Sequence, residues 1–478
     1  MTDRGSPVLI SPGRDGRSHA GPMTTGFWPQ PQKVSHTEPI RLTGHITTVD
    51  TTTAEVLRSY ITSAEPTGSL LTTCGNRRAS RCPACSRLYA ADTYHLIRAG
   101  LSGGKTVPDT VRTHPRVFAT LTPPSFGPVH NRLTTPGGDI RPCRCRKLHE
   151  PTDALIGTPL NPETYDYTGA ILFNAHASAL WARFTTYLRR ELAAGLGMTQ
   201  KAAHAVLRIS FAKVAEYQKR GLVHFHAVIR LDGPNGTSQP PPPYATVAVL
   251  ADAVRADASR VRMTVESDAV GERELAWGEQ LDVREIAAFG TDAELTDQAV
   301  AAYVAKYATK SADASGTLDR SLFCRPCQGR GATLLPHGTP LPCTACDGTG
   351  QALPLSRLAV ARHVRRMIRT CWELGRLPEF VHLKLRKWAH MLGFRGHFST
   401  KSRSYSTTLA ALREIRRAWR TEQARAHTGL PESDPATTLV VGHWDYLGSG
   451  YSPGARLLAA DVWHRNELER QFTAEGGS

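Results

Sequence analysis

The sequence predicts an α+β protein: a central antiparallel sheet with flanking helices, followed by a cysteine-rich knuckle insertion and a basic helical C-terminal region. Three observations carry this reading. Apolar stretches at residues 116–122, 206–217 and 222–231 have the character of strands that bury at least one face. Residues 169–195, 246–260 and 294–309 instead repeat their apolar positions with the helical period. Two Cys-x-x-Cys-x-Gly-x-Gly segments begin at Cys324 and Cys343, a spacing suited to tetrahedral zinc.

At 478 residues the chain has room for two to four domains and a large core. Its 40% hydrophobic and 21% charged content is ordinary for a soluble globular protein. No stretch approaches the roughly 18 to 20 apolar residues of a membrane span, and the polar N-terminus has no apolar signal core. A cytoplasmic location is expected, with no membrane partner. The net charge of +16 and pI near 9.6 favour a polyanionic partner. Residues 357–427 hold 17 Lys or Arg against 4 Glu, whereas a merely solvated surface would mix the signs. DNA contact by this segment is therefore expected. Ten cysteines in a reducing compartment point to metal binding rather than disulfides.

In chain order, residues 1–53 are rich in Gly, Pro, Ser and Thr and read as a mobile arm. A cysteine-containing segment follows over 54–114, with a weak helical pattern at 54–64 and then Cys74, Cys82 and Cys85. The strand at 116–122 stops at Pro123-Pro124, which cannot continue a ladder. An insertion over 123–167 carries Cys143, Cys145 and His149. The helix at 169–195, the hairpin of 206–217 and 222–231, an exposed Pro240–Pro243 connection, the helix at 246–260, a strand near 280–286 and the helix at 294–309 complete a domain over 115–312. A zinc module spans 313–353. In the basic region, 354–478, the run from Leu383 through Tyr405 to a helix from Thr408 suggests a helix-turn-helix or winged variant. There Lys401 and Arg403 suit phosphate contacts, and Trp388 and Phe394 suit a core.

Two motifs carry the chemistry. His224-Phe-His226 puts two imidazoles on one face of a strand, because extended chains repeat every second residue, so both can bind one divalent ion. Glu216 reaches them only if the hairpin loop is Lys219-Arg220-Gly221, with glycine in the left-handed position; that register sets Glu216 opposite His224. Gln218 is a weaker alternative. The second motif, Tyr303-Val-Ala-Lys306-Tyr307, places two phenols on one helix face with Lys306 and Lys310 along the same stripe. A phenol with a pKa of about 10 is a poor nucleophile at neutral pH unless nearby positive charge favours the phenolate.

In these motifs the chain resembles the rolling-circle replication initiators of the HUH endonuclease superfamily. It is most similar to those of actinobacterial plasmids and integrative conjugative elements of the Streptomyces type. Val117-Phe-Ala-Thr-Leu-Thr122-Pro123 resembles the first motif strand, Glu216 with His224-Phe-His226 the metal motif, and Ala302 to Lys310 the two-tyrosine motif. The resemblance covers about residues 115–312 and implies Mg²⁺ or Mn²⁺ on His224, His226 and Glu216. It also implies Tyr303 and Tyr307 as nucleophiles, with Lys306 supporting the phosphate; Lys310, from its place on the same helix stripe, is expected to contact DNA. The implied reaction is nicking of single-stranded or cruciform origin DNA through a 5′-phosphotyrosine, then rejoining, with a host helicase and polymerase as partners. The long cysteine-bearing insertion between the first two motifs departs from the compact family pattern.

Cys324, Cys327, Cys343 and Cys346 are expected to hold a structural Zn²⁺, in a pattern similar to the zinc module of Hsp40-type chaperones. Cys74, Cys82, Cys85, Cys143, Cys145 and His149 could share a second zinc, or be unpaired buried cysteines. Cys371, in an arginine-rich helix, is expected to be packing. Two other functions fit parts of the pattern: a two-tyrosine HUH transposase, and a non-enzymatic zinc-containing DNA-binding regulator. The latter leaves the paired histidines and tyrosines without a purpose.

Overall fold

The computed structural model describes residues 38–286, 296–309, 315–428 and 438–451, apart from positions 66, 136, 319 and 336, together with parts of 455–468. They form two compact units, one of residues 93–407 and one that joins the described residues up to 92 with those from 408 onward. Both are mixed α+β. No described helix is long and apolar enough to cross a membrane.

In the larger unit the principal elements are β1 (Arg116–Leu121), α1 (Tyr167–Gly195), β2 (Arg208–Tyr217), β3 (Val223–Asp232), α2 (Val247–Arg260), β4 (Leu281–Glu285), α3 (Asp297–Ala308), α4 (Arg362–Leu374) and β5 (Ser399–Lys401). The strands make one antiparallel sheet in the order β4-β1-β3-β2-β5. Alternation divides each strand between two faces. Val117, Ala119, Leu121, Phe225, Ile229 and Leu231 join the core formed with Phe173, Trp181 and Phe184 of α1. Trp181 lies edge-on to Phe211 and Phe225, at 5.3 and 5.9 Å between centroids. The opposite face presents Phe118, Thr120, Glu216, His224 and His226, and α3 packs there against β2.

Helix starts are fixed by side-chain caps, which satisfy backbone N–H groups that have no partner in the first turn. Asp166 accepts from Gly169, Thr246 from Val249 and Thr296 from Ala299. In α2, buried Asp257 has no hydrogen-bond partner among the described residues for either carboxylate oxygen. Burial, with the nearby Glu191 charge adding to it, pushes this carboxyl up to about 8 from an ordinary 3.8. The unfolded chain releases this proton near pH 4 while the folded chain holds it to about pH 8, so the group costs stability increasingly as pH rises between those values. Asp257→Asn should raise stability at pH 8 by on the order of 1–3 kcal/mol and change it little at pH 4. Urea unfolding at the two pH values checks this; a gain no larger at pH 8 than at pH 4 would contradict it.

The hairpin joining β2 and β3 has the register that brings Glu216 opposite His224. Its three-residue loop closes with Gln218 N–H donating to the Leu222 carbonyl at 2.8 Å, and Gly221 has φ +78°. A Cβ at position 221 would sit 2.8 Å from both Leu392 Cδ1 and Met367 Sδ. Gly221→Ala should therefore cost about 1–2 kcal/mol and weaken metal binding through the register. An unchanged denaturation midpoint would contradict this.

Elsewhere the structure departs from the expected layout. Residues 40–50, expected to lie in a mobile arm, form a strand between Thr438–Ser449 and Val56–Ile61, antiparallel to both; residues 1–37 lie outside the described ones. Residues 56–61 form a strand rather than a helix, because every second side chain is less exposed and the backbone pairs with residues 45–49. A helix at Pro83–Ser102 was not expected. The helix expected from Thr408 is present at Leu409–Thr428, but ahead of it, in place of a first helix and turn, stand short 3-10 segments at 378–383 and 389–391 and then β5, which adds to the edge of the main sheet. Phe394 is buried there, whereas Trp388 is half-buried.

Candidate active site

The residues singled out on β2, β3 and α3 converge on one face of the sheet. Glu216 Oε2 lies 2.9 Å from His224 Nε2 and 3.0 Å from His226 Nε2. Burial raises the Glu216 carboxyl, but the two imidazoles outweigh that and hold it at about 2, so it is a carboxylate at any working pH. Ligands bound octahedrally at about 2.0–2.1 Å stand about 2.9 Å apart, close to the separations here. Two imidazole nitrogens and one carboxylate oxygen fit a divalent cation of the Mg²⁺ or Mn²⁺ class, and three protein ligands leave room for water and substrate. His226 is oriented from behind: its Nδ1 is 3.1 Å from Thr120 Oγ1 and its ring stacks on Phe118. With Nδ1–H donating to the hydroxyl, Nε2 is the ligating nitrogen.

The tyrosines meet this set directly. Tyr303 Oη is 3.3 Å from His226 Nε2, and the Tyr303 and Tyr307 rings are 4.5 Å apart. The Tyr307 ring lies 5.5 Å from that of His226. Burial first, and then hydrogen bonding with Tyr307, raise the Tyr303 phenol well above its ordinary pKa. Even so Tyr303 is 37% exposed, so it is open to solvent. Lys306 is exposed, with its Nζ 5.8 Å from the Tyr307 ring centroid. Lys310 lies outside the described residues.

Sequence reading missed what holds α3 in place. Asp297, the first residue of α3, pairs with Arg116 of β1 at 3.1 Å and accepts from Ser102 Oγ at 2.8 Å. On the same sheet face Arg230 and His114 each pair with Asp232 at 2.7 Å, and all three are fully buried. Arg116, Arg230 and Asp232 alternate in phase with His224 and His226. Buried charges that interrupt an apolar strand on the functional face were the available signal.

The remaining predicted sites fall as follows. Lys401 donates to the Ser402, Arg403 and Ser406 carbonyls and is half-buried, so its ammonium closes a turn, while Arg403 is exposed. Cys371 is fully buried, its thiol directed at the Leu385 carbonyl. Cys324, Cys327, Cys343 and Cys346 form one group that could hold a metal such as zinc. The pairs Cys324–Cys343 and Cys327–Cys346 stand 3.9 and 3.7 Å apart, against about 3.8 Å for the edge of a tetrahedron with 2.3 Å Zn–S bonds. Backbone N–H groups of Gly331 and Gly350 donate to Cys327 and Cys346. The six residues that could have shared a second zinc separate into two sets. Cys74, Cys82 and Cys85 gather in the smaller unit, while Cys143, Cys145 and His149 join His130 in the larger one. His130 was not singled out from the sequence.

Comparison with known proteins agrees in outline. The model of the RepSA family, described as "Replication initiator protein, pSAM2", matches residues 32–464. A curated "Replication initiator protein" of Streptomyces ambofaciens is 49% identical over 442 residues, covering 91% of this chain and 89% of its own. No solved structure matches.

Proposed function

We propose that this chain, which belongs to the RepSA family of replication initiator proteins, starts rolling-circle replication by nicking one strand at its origin through a tyrosine nucleophile, as HUH endonucleases do. The observation that carries the reading is the Tyr303 hydroxyl 3.3 Å from His226 Nε2, within a Glu216, His224 and His226 ligand set. The family match favours replication over transposition.

A divalent cation held by Glu216, His224 and His226 would supply positive charge beside the scissile phosphate. Thr120 and Phe118 fix the His226 ring, so the ligand atoms need no rearrangement. The phenol oxygen of Tyr303 loses its proton and bonds to phosphorus as the P–O3′ bond breaks. The departing 3′-oxygen takes up a proton, and the 5′-phosphate stays on the tyrosine. A host polymerase, with a helicase opening the duplex, extends that 3′ end. Tyr307, whose ring packs on Tyr303 at 4.5 Å, takes the second transfer that ends the round. Because the phosphotyrosine keeps the energy of the phosphodiester, rejoining needs no ATP. Lys306 contributes a phosphate contact as a point charge. Exposed Arg403 and the exposed Arg413, Arg417 and Arg420 of the helix at 409–428 supply backbone contacts to DNA. Cys324, Cys327, Cys343 and Cys346 would hold a structural zinc that fixes their loop.

The test is incubation of the purified protein with supercoiled plasmid bearing its origin. With Mn²⁺ or Mg²⁺ the expected product is open circle carrying protein on a 5′ end, and chelation with EDTA should remove it. Nicking that persists in EDTA, or cleavage without bonded protein, would overturn the proposal.

A further inference from the structure

We infer that His130, Cys143, Cys145 and His149 bind a zinc ion of their own and that this centre braces the β2–β3 turn on which the active-site register depends. The four residues are brought together from a loop with little regular structure, residues 122–166, where the only described strands are two-residue pairs at 133–134 and 140–141.

The four ligand atoms lie within 4.8 Å of one another, and two of their separations can be set against the edges of a tetrahedron. Cys145 Sγ is 3.2 Å and His130 Nδ1 is 3.3 Å from His149 Nε2. Bonds of about 2.3 Å to sulfur and 2.0–2.1 Å to nitrogen give edges of about 3.5 Å for S–N and 3.4 Å for N–N. Two thiolates and two neutral imidazoles offset a 2+ ion in charge, so two of the ligands, Cys143 and His149, can be buried without an uncompensated charge. The surroundings are those of ligands. Asp153 Oδ2 lies 2.6 Å from His149 Nδ1, which leaves Nε2 for the metal, the carboxylate–histidine arrangement common behind zinc. The Asn131 N–H points at Cys143 Sγ at 3.5 Å, as donors do toward thiolates. Cys143 and Lys147 close a tight turn, with the Arg146 N–H donating to the Cys143 carbonyl and Arg146 in the left-handed region at φ +69°.

The same loop leads to the hairpin. His130 exchanges backbone hydrogen bonds with Gly157 and Thr158, each 2.8 Å. Gly157 lies directly on the turn: a Cβ there would be 2.5 Å from the Lys219 carbonyl carbon. Lys219 Nζ donates to the Pro151 carbonyl at 2.8 Å, and Arg220 donates to the carbonyls of Pro123 and Pro124. Thus the segment that carries the ligands also grips Lys219 and Arg220, next to the Gly221 that sets Glu216 opposite His224. This gives the long insertion a structural purpose that the nicking chemistry does not require.

The experiment is zinc content of the full-length protein, read without DNA so that it stands or falls apart from the nicking proposal. The variants are Cys145→Ser, His149→Ala and His149→Cys. After dialysis against a weak chelator, Cys145→Ser and His149→Ala should each contain one zinc per chain less than the parent. His149→Cys should keep it, since a thiolate replaces the imidazole as a ligand. Trypsin cleavage at Arg144, Arg146 or Lys147 should accelerate about tenfold in the two depleted variants and not in His149→Cys. Undiminished zinc in both Cys145→Ser and His149→Ala would overturn the site. Loss of zinc in His149→Cys together with full unfolding by circular dichroism would also count against it, because it would show His149 needed for folding rather than for the metal. Zinc loss with no change in proteolysis would overturn the brace.

Discussion

Tyr303→Phe combined with Tyr307→Phe will leave the protein folded and able to bind origin DNA, yet without covalent adduct, a loss of more than about 10³-fold. The rings pack on each other at 4.5 Å, Tyr303 also on Phe118 and His226 at 5.6 and 5.0 Å and Tyr307 on His226 at 5.5 Å, and phenylalanine keeps all of that surface. What is removed is two oxygens, one of them 3.3 Å from His226 Nε2. The cost in stability is therefore about 1 kcal/mol, too little to account for lost activity by unfolding. The single variants should differ. Tyr303→Phe loses the hydroxyl nearest the ligand atoms and should slow the first cleavage about 10²-fold or more, whereas Tyr307→Phe should spare the first cleavage and impair strand closure. Denaturing gels of a radiolabelled origin oligonucleotide separate the two steps. An adduct formed at the parental rate by the double variant would exclude both phenols.

His226→Ala carries the second large effect, because one ring joins three functions. It offers a candidate ligand nitrogen 3.0 Å from Glu216 Oε2, it meets the Tyr303 hydroxyl, and its stacking on Phe118 ties it to β1. Removing it leaves two ligands and should lower nicking by about 10³-fold at any metal concentration. Thr120→Val makes the informative comparison: it keeps every ligand and removes only the oxygen 3.1 Å from Nδ1. Its metal affinity should fall about 10- to 100-fold, with the rate restored by raising Mn²⁺. Nicking rates across a metal titration distinguish the two; equal defects that saturating Mn²⁺ does not repair would show that Thr120 acts on something other than the ligand.

Much of this site was legible in the sequence because its determinants are local. Two histidines at a two-residue spacing must share a face of a strand, and the position of one glycine in a three-residue loop decides whether Glu216 can join them. Tyr303 and Tyr307 share a helix face for the same kind of reason. What could not be read depends on contacts between distant parts of the chain. Residues 40–50 look like an arm in isolation, since their main partner strand is Thr438–Ser449. His130 stands apart from the Cys143–His149 cluster in sequence and meets it only once the loop closes. The Arg116–Asp297 pair that anchors the tyrosine helix joins positions in separate elements. Lys401 shows a different limit: a lysine that caps carbonyls and one that meets phosphate have the same side chain, and only the fold tells them apart.

The central claim is that a tyrosine of α3 becomes bonded to DNA at the cation-binding face. Trypsin digestion of the trapped adduct tests it, because cleavage at Lys306 separates the peptide 285–306, which contains Tyr303, from 307–310, which contains Tyr307. Mass spectrometry should find the 5′-nucleotide on the first peptide after initiation with Mn²⁺ present, and on the second only after a further transfer. A nucleotide on any other peptide, or attached through its 3′ end, would contradict the account.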